Sequence, residues 1–368
     1  MRNATVLGFL ILLCLVQVAV GQDRDEVSPK NLPKGVSAAK ARNLLAASEL
    51  ASERDQQAVH ARRQRQLESI NQITAGARAA LKPILAADKT GTYQSYQAEI
   101  KRIGKLDAKE QGRALRGLDG KYLTFFQNAF KQAGIDEPEL QAKISKVLPG
   151  AKFGALLTCS GQEPPEPEEE EAEPKAHAAQ DTQTLSAPFG LRSTKRTTQG
   201  LSIQIASATA DLESGDIRGS VDIVLGLGNG RATAAVGQAI EIPSGPHKVR
   251  STVDTKTDYT LHAVSLALNG AAGAWADARI DVTKPNGTLR KKTQNLGWVV
   301  APVLWFVTED GDEEPLSLSK TVTVPGNAGG QFHVKARVIT EAYTYGISGF
   351  GVGRISSTLQ TIKMKTIP

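Results

Sequence analysis

Hydrophobic residues in the first part of the chain recur at helical spacing. Over residues 37–87 the apolar positions are separated mainly by three, four or eight residues, which places them on one face of an amphipathic helix with Ser37 as its N-cap. After a turn at residues 88–91, the same spacing predicts helices over 92–105, 108–133 and 136–147. Such helices bury their apolar faces on one another, so we expect a helical bundle or hairpin at residues 34–150.

The pattern changes to alternation of apolar and polar residues in the second part of the chain. Segments such as 201–205 and 332–338 alternate in this way and are separated by Gly, Pro and Asn turn signals. We predict about nine to eleven short strands and no helix, forming an antiparallel β-sandwich over residues 187–368, with a jelly roll as one version. The predicted fold class is therefore an α+β multidomain protein.

Glycine and proline refine this strand prediction at four places. The glycine-rich segments 226–230 and 349–353 are interpreted as hairpin turns, because neither opens a helix as a phosphate-binding loop would. The Ala/Gly segment 270–278 is typical of a strand approached closely by a backbone or a large ring. The apolar run 298–307 predicts a buried strand with a bulge or an edge at Pro302.

Residues 160–186 form an acidic, proline-rich linker between the two patterns. Like charges repel and proline removes backbone donors, so such a segment stays extended and solvated. The chain has a net charge of +6, and this acidic block separates two mildly basic parts. Binding of calcium or a partner is the functional alternative for this run.

The first residues predict export. Arg2 precedes an apolar run over 6–20, and Ala19 and Gly21 are the small residues that signal peptidase requires, so residues 1–21 are interpreted as a cleaved signal peptide. No later segment is long and apolar enough for a membrane span, which predicts a secreted, periplasmic or otherwise extracytoplasmic protein. After cleavage Cys159 is the single cysteine, so it either stays free or pairs between chains.

The titratable residues show no catalytic spacing. The five histidines lack a metal-ligand pattern, and His262 and His333 are expected on the polar faces of strands. The basic cluster at residues 60–65 is expected on a solvent-exposed helix face, and it lacks the interleaved aromatic residues of a nucleic-acid surface. We therefore expect neither a cofactor nor a nucleic-acid partner.

An acidic segment at residues 309–314 is the candidate metal site. Asp310, Asp312 and Glu313 supply hard oxygen ligands of the kind that calcium prefers, although their spacing differs from that of an EF-hand. The alternative is an exposed acidic hairpin.

Aromatic residues of the second part are the candidate binding residues. Tyr343 and Tyr345 share one face of a strand beside flexible glycines, and Trp275 and Trp298 are further candidates. Exposed on a sandwich, such rings would stack on sugars or contact a protein, whereas core packing is the alternative.

Three functions follow from these observations. The leading hypothesis is an exported non-enzymatic protein whose β-sandwich binds a protein, a carbohydrate or an envelope or extracellular component. The first alternative is a hydrolase of an extracellular or envelope polymer, which would need two facing carboxylates in a cleft. The second is a structural component that assembles through its helices or through Cys159.

Overall fold

The computed structural model describes residues 23–149, 152–153, 159–161, 180–242, 247–265, 270–303, 305–324, 330–345 and 349–367. The predicted signal peptide and residues 162–179 of the predicted linker lie outside these ranges.

Six helices occupy the described part of the chain before residue 150, as the hydrophobic spacing predicts. They are α1 (Ala38–Ile73), α2 (Ala75–Ala86), α3 (Thr92–Ile103), α4 (Ala108–Arg116), α5 (Asp119–Gln132) and α6 (Glu137–Val147). The Ser37 hydroxyl accepts a hydrogen bond from the Lys40 N–H, which confirms the predicted cap. None of these helices is both long enough and apolar enough to cross a bilayer.

Two of the predicted helices are interrupted. The first breaks at Thr74, where the side-chain hydroxyl hydrogen-bonds to the Ile70 carbonyl and also contacts the Arg78 guanidinium. The other breaks at Gly117, between α4 and α5. Hydrophobic periodicity continues across both breaks, so it does not reveal them.

Twelve strands are present in the described residues, arranged as two packed antiparallel sheets. The strands are β1 (Arg24–Val27), β2 (Lys152–Phe153), β3 (Cys159–Gly161), β4 (Gln180–Leu185), β5 (Leu191–Ala210), β6 (Asp216–Ile242), β7 (His247–Ser265), β8 (Ala272–Thr283), β9 (Leu289–Ala301), β10 (Phe306–Val324), β11 (Gly330–Thr344) and β12 (Gly349–Ile367). Sheet A has the order β5-β6-β11-β8-β9-β3-β2, with β1 beside β5. Sheet B has the order β10-β7-β12-β6, with β4 also on β12.

The long β5–β6 hairpin belongs to both sheets. The first part of β6 pairs with β12, and the part after Gly226 pairs with β11, while β5 pairs with β6 from Ile217 to Gly237. Gly200 and Gly226 have φ values of 125° and 132°, and a Cβ at Gly200 would lie 2.2 Å from the Leu227 carbonyl oxygen. Only glycine fits this bend, which carries both strands from one sheet into the other.

This bend corrects the expectation of short strands. Strand β6 has 27 residues, and the segment 226–230 that was interpreted as a turn continues inside it. The segment 349–353 is likewise the start of β12. Glycine in a paired strand and glycine in a turn give the same signal in a sequence. The glycines at 226–230 therefore predict a turn, and β6 is predicted as separate short strands although it is continuous.

The interior of the sandwich is aliphatic, whereas a second cluster, rich in aromatic rings, lies between the helices and the sheets. Leu67, Tyr96 and Phe126 from the helices share this second cluster with Trp275 and Trp305 from the β region. The helices and the sandwich therefore have a common core.

Both tryptophans of the apolar run 298–307 are buried. The run does not form the single strand that the sequence predicts. Strand β9 ends at Ala301 and β10 begins at Phe306 in the other sheet, so the chain passes from one sheet to the other between these residues. Trp298 stacks on Trp275 with ring centroids 6.1 Å apart, and Trp305 stacks on Tyr96 at 5.9 Å.

Candidate functional site

Helix α1 covers the outer face of sheet A with a layer of charged side chains. On β11, alternate residues point to this face, among them Lys335, Arg337, Glu341 and Tyr343, while Val334 and its alternate neighbours point into the sandwich. We call this layer the polar interface. Its charged members on α1 are Glu49, Glu53, Asp55 and Arg63; those on the sheet are Lys195, Arg231, Asp277, Arg279, Asp281, Lys291, Lys335, Arg337 and Glu341.

One group in the polar interface is centred on Glu49. Both oxygens of this carboxylate accept hydrogen bonds from Arg337 Nη2 at 2.7 Å, and one also accepts from Lys335 Nζ. Arg337 Nε donates to Asp281 at 2.7 Å, and Asp281 in turn accepts from Arg279 Nη2 at 3.1 Å. Lys335 and Asp281 are fully buried, so these charges depend on one another instead of on water.

A second group lies about four helical turns further along α1, at Arg63. Its guanidinium reaches Glu341 at 3.1 Å and Asp277 at 2.9 Å, and it lies over the Trp275 ring at 5.5 Å. The Tyr343 hydroxyl donates to Glu341 at 2.7 Å and lies 2.6 Å from His60 Nδ1.

The charges of the two surfaces are complementary. Helix α1 contributes three carboxylates and one guanidinium, whereas the sheet contributes six cations and three carboxylates. A neutral pair, Thr233 and Gln56, adds a hydrogen bond of 3.0 Å. The sheet face alone would be cationic, and α1 neutralises most of its charge.

The pKa shifts show which groups are ionised. Burial alone would raise the pKa of Glu49, but Arg337 and Lys335 outweigh it and lower that pKa to about 2. Burial is likewise outweighed at Glu341, where Arg63 and His60 lower the pKa to about 2. Burial and the neighbouring Glu341 raise the pKa of Tyr343 well above its usual value, so its hydroxyl stays protonated. At neutral pH the carboxylates of Glu49 and Glu341 are therefore ionised and paired with cationic side chains.

The pairing of buried carboxylates with cations argues against the hydrolase alternative at this interface. Asp277 and Glu341 are carboxylates that approach one another, but Arg63 bridges them and both are almost completely buried. Neither has the access to a substrate or water that a general acid or base needs. What the polar interface does chemically is to hold α1 in place on the sheet.

The predicted aromatic binding residues lie mostly in the interior. Trp275, Trp298 and Tyr343 are each 1% exposed, and Tyr345 is half-buried against the helical core. The structure does bring Trp275 and Tyr343 together, with ring centroids 5.1 Å apart. The expectation of an exposed aromatic platform is corrected, because helices cover the face on which these rings lie. The ring of Trp275 lies over Gly273, as the small residues of segment 270–278 predict.

The predicted calcium loop is part of strand β10. A bulge between Gly311 and Glu314 spreads its acidic residues along an exposed strand, and Asp310 pairs with Arg116 at 2.8 Å. In the described ranges no three His, Cys, Asp or Glu side chains lie close enough together to hold a metal ion. The grouping of Asp310, Asp312 and Glu313 as calcium ligands is therefore corrected.

Three expectations about polar faces are corrected for one reason: helices cover both sheets locally. His262 is buried and its Nε2 lies 2.7 Å from the Ala108 carbonyl oxygen of α4. His333 is buried beside Lys335 under α1. Arg63, in the cluster that was expected to face solvent, is 3% exposed.

Sequence reasoning missed an exposed aliphatic surface at the β5–β6 bend. Leu201 is 72% exposed, Ile205 50% and Leu227 44%, and Leu201 pairs directly with Leu227 across the two strands. We call these three residues the β5–β6 patch. The alternation over 201–205 was correctly recognised, but no local signal distinguishes an apolar face that is buried from one that is open.

Comparisons with known proteins give limited similarity. No protein-family model and no curated protein matches the chain. Among solved structures, it is similar to TmCBM61 in complex with β-1,4-galactotriose, with 9% identity, a TM-score of 0.17, and coverage of 43% of this chain and 88% of that one. It is also similar to the C-terminal CBM6 of LamC from Zobellia galactanivorans (12% identity, TM-score 0.16, 48% and 99% coverage). A third is the family 11 carbohydrate-binding module from Clostridium thermocellum (11% identity, TM-score 0.18, 50% and 94% coverage). With TM-scores below 0.2, these similarities carry no argument, and the fold class rests on the strand pairing of this chain itself.

Proposed function

We propose that this chain is an exported, non-enzymatic binding protein whose β-sandwich contacts another protein through the β5–β6 patch. The observation that carries the proposal is the open aliphatic surface formed by Leu201, Ile205 and Leu227. In the described residues the only other exposed large hydrophobic side chain is Leu50, which stands alone on α1. Contiguous exposed apolar residues mark interaction sites, whereas scattered ones do not. The predicted signal peptide supports export.

The chemistry of the patch favours a protein over a sugar. Sugar rings stack on exposed aromatic side chains, but Trp275, Trp298 and Tyr343 are buried. The patch is aliphatic and lies beside the outer edge of β5, where backbone N–H and C=O groups can pair with an extended segment. A protein strand satisfies both features at once.

The proposal is tested by selecting ligands for the full chain and mapping them to the patch. The full chain is needed because the helices and the sandwich share a core. Random extended peptides displayed on phage would be selected against immobilised protein, and a glycan array would be probed in parallel. We expect peptides with alternating apolar residues, whose binding falls at least about tenfold in the double variant Leu201→Ser/Leu227→Ser.

Leu50→Ser is the matched control, since it removes a leucine of comparable exposure on α1, outside the patch. Peptide binding that survives the double variant would refute the proposal. Glycan binding that is insensitive to the double variant, without any peptide binding, would favour a carbohydrate partner instead.

A further inference from the structure

We infer that the protein bound at the β5–β6 patch is a second copy of this chain, joined by antiparallel pairing of the two β5 strands. The inference rests on the proposed function, because it names the partner of the same surface.

The outer edge of β5 is open along most of its length. Within the ranges that the structure describes, β5 pairs only with β1 and β6, and β1 covers no more than residues 191–194. The Asp23 carboxylate then accepts the Arg196 N–H at 3.2 Å, which closes the edge at that point. From residue 197 to residue 210 the edge is available to a further strand.

This open edge lacks two of the usual protections against pairing, charged residues and proline. Residues 197–210 include no charged residue and no proline, and they are rich in Thr, Ile and Ala. Edge strands in monomeric proteins are normally protected by lysine, proline, bulges or covering segments. Its only irregularities are local: β5 bends at Gly200, and its register against β6 shifts between Ser202 and Ile203. An uncharged edge next to exposed Leu201 and Ile205 has the composition of an interface.

The sequence of β5 is complementary to itself. Twofold pairing centred on position 203 places Leu201 of each copy opposite Ile205 of the other, and Thr197 opposite Thr209. Aliphatic pairs and threonine pairs are favourable neighbours across antiparallel strands. The two exposed residues of β5 thereby cover each other.

The charges at the ends of the pairing have opposite signs. In this register Lys195 and Arg196 of one copy lie at the end where Asp211 of the second copy emerges. Lys195 and Asp211 are both exposed, and Lys195 also lies 3.5 Å from Glu53 of its own chain. Because the uncharged stretch lies between these ends, no like charges oppose each other, and this complementarity selects a second copy as the occupant.

Cysteine cross-linking tests both the partner and the register. In a chain with Cys14 and Cys159 replaced by serine, Leu201→Cys/Ile205→Cys places two cysteine pairs opposite each other, as disulfide geometry requires. Mild oxidation should convert most of the double variant into covalent dimers. The single variants Leu201→Cys and Ile205→Cys are the controls, since neither residue faces its own copy in this register.

Sedimentation velocity gives the independent readout. The unmodified chain should form a concentration-dependent dimer, and Ile205→Lys should weaken it at least about tenfold, whereas Leu50→Lys should leave it unchanged. A monomer up to about 100 μM, or equal cross-linking of the single and double variants, would overturn the inference. If the chain is a monomer but peptides still bind the patch, the proposed function stands with another protein as the partner. If the chain neither dimerises nor binds peptides, the inference and the proposed function are both wrong.

Discussion

The polar interface makes a quantitative prediction at Glu49. Replacing Glu49 with glutamine removes the charge that faces Lys335 and Arg337, whose side chains are 0% and 2% exposed, while leaving the side-chain volume nearly unchanged. The pKa of Glu49 falls from 4.5 to about 2 in the folded chain. At about 1.4 kcal/mol per pKa unit, the ionised carboxylate stabilises the fold by about 3 kcal/mol. Removing one partner of a buried pair costs a similar amount, about 3–5 kcal/mol.

The pH dependence of this effect follows from the sign of the shift. Because the pKa of Glu49 is lower in the folded state, its contribution is complete above the unfolded value of 4.5 and is lost as the pH falls towards 2. We therefore expect Glu49→Gln to lower the free energy of unfolding by about 3 kcal/mol at pH 7, and by about 2 kcal/mol less at pH 3. Urea denaturation at both pH values measures this difference.

Two further variants make the test specific. Glu313→Gln is the matched control, because it makes the same substitution on the exposed part of β10. Lys335→Met combined with Glu49→Gln should show a coupling free energy of about 2 kcal/mol, as expected for residues in one network. A loss below about 1 kcal/mol at pH 7, or an equal loss at pH 3, would refute this account of the interface.

Three other predictions concern neighbouring features. Burial and, to a lesser extent, the neighbouring Lys335 lower the pKa of His333 from 6.5 to about 3, so the free energy of unfolding should fall as the pH drops below 6.5. In urea titrations between pH 6 and 5, His333→Asn should remove about 1 kcal/mol per pH unit of that slope. Tyr343→Phe deletes the hydroxyl that donates to Glu341 and should cost about 2 kcal/mol; an unchanged urea midpoint would contradict the assigned hydrogen bond. Gly237→Ala would place a Cβ 2.1 Å from a backbone oxygen of β11 and should cost about 2 kcal/mol or more by thermal unfolding, whereas Gly76→Ala, with open space around it, should not destabilise.

Sequence reasoning recovered the elements whose signals are local. The Ser37 cap, the change from helical to alternating periodicity, and the placing of the helices before every strand except β1 all depend on neighbouring residues, and all are present in the structure. Each is set by backbone hydrogen bonding and by the direction of consecutive side chains. Tertiary context could not alter them.

The candidate site could not be predicted because the same pattern fits two environments. Along β11, Lys335, Arg337 and Glu341 alternate with apolar residues, which is the pattern of a strand with one face in water. In the folded chain that face is dry, because α1 supplies a matching set of charges. Only the pairing of residues nearly 300 positions apart, such as Glu49 with Arg337, distinguishes the two cases.

The composition of α1 explains what this charged layer contributes. Near its start Ala41 and Leu45 pack on apolar residues of the sandwich, and near its end Leu67 and Ile70 enter the aromatic cluster, so burial of apolar area holds both ends. Apolar contacts tolerate small shifts of one surface on another, and a buried ion pair gains little over an apolar pair of equal volume. The Arg337 guanidinium instead donates through Nη2 to both oxygens of Glu49 and through Nε to Asp281, and these directional, charge-assisted hydrogen bonds require one geometry. The apolar ends therefore bind α1 to the sheet, and the charged middle determines the register in which it binds.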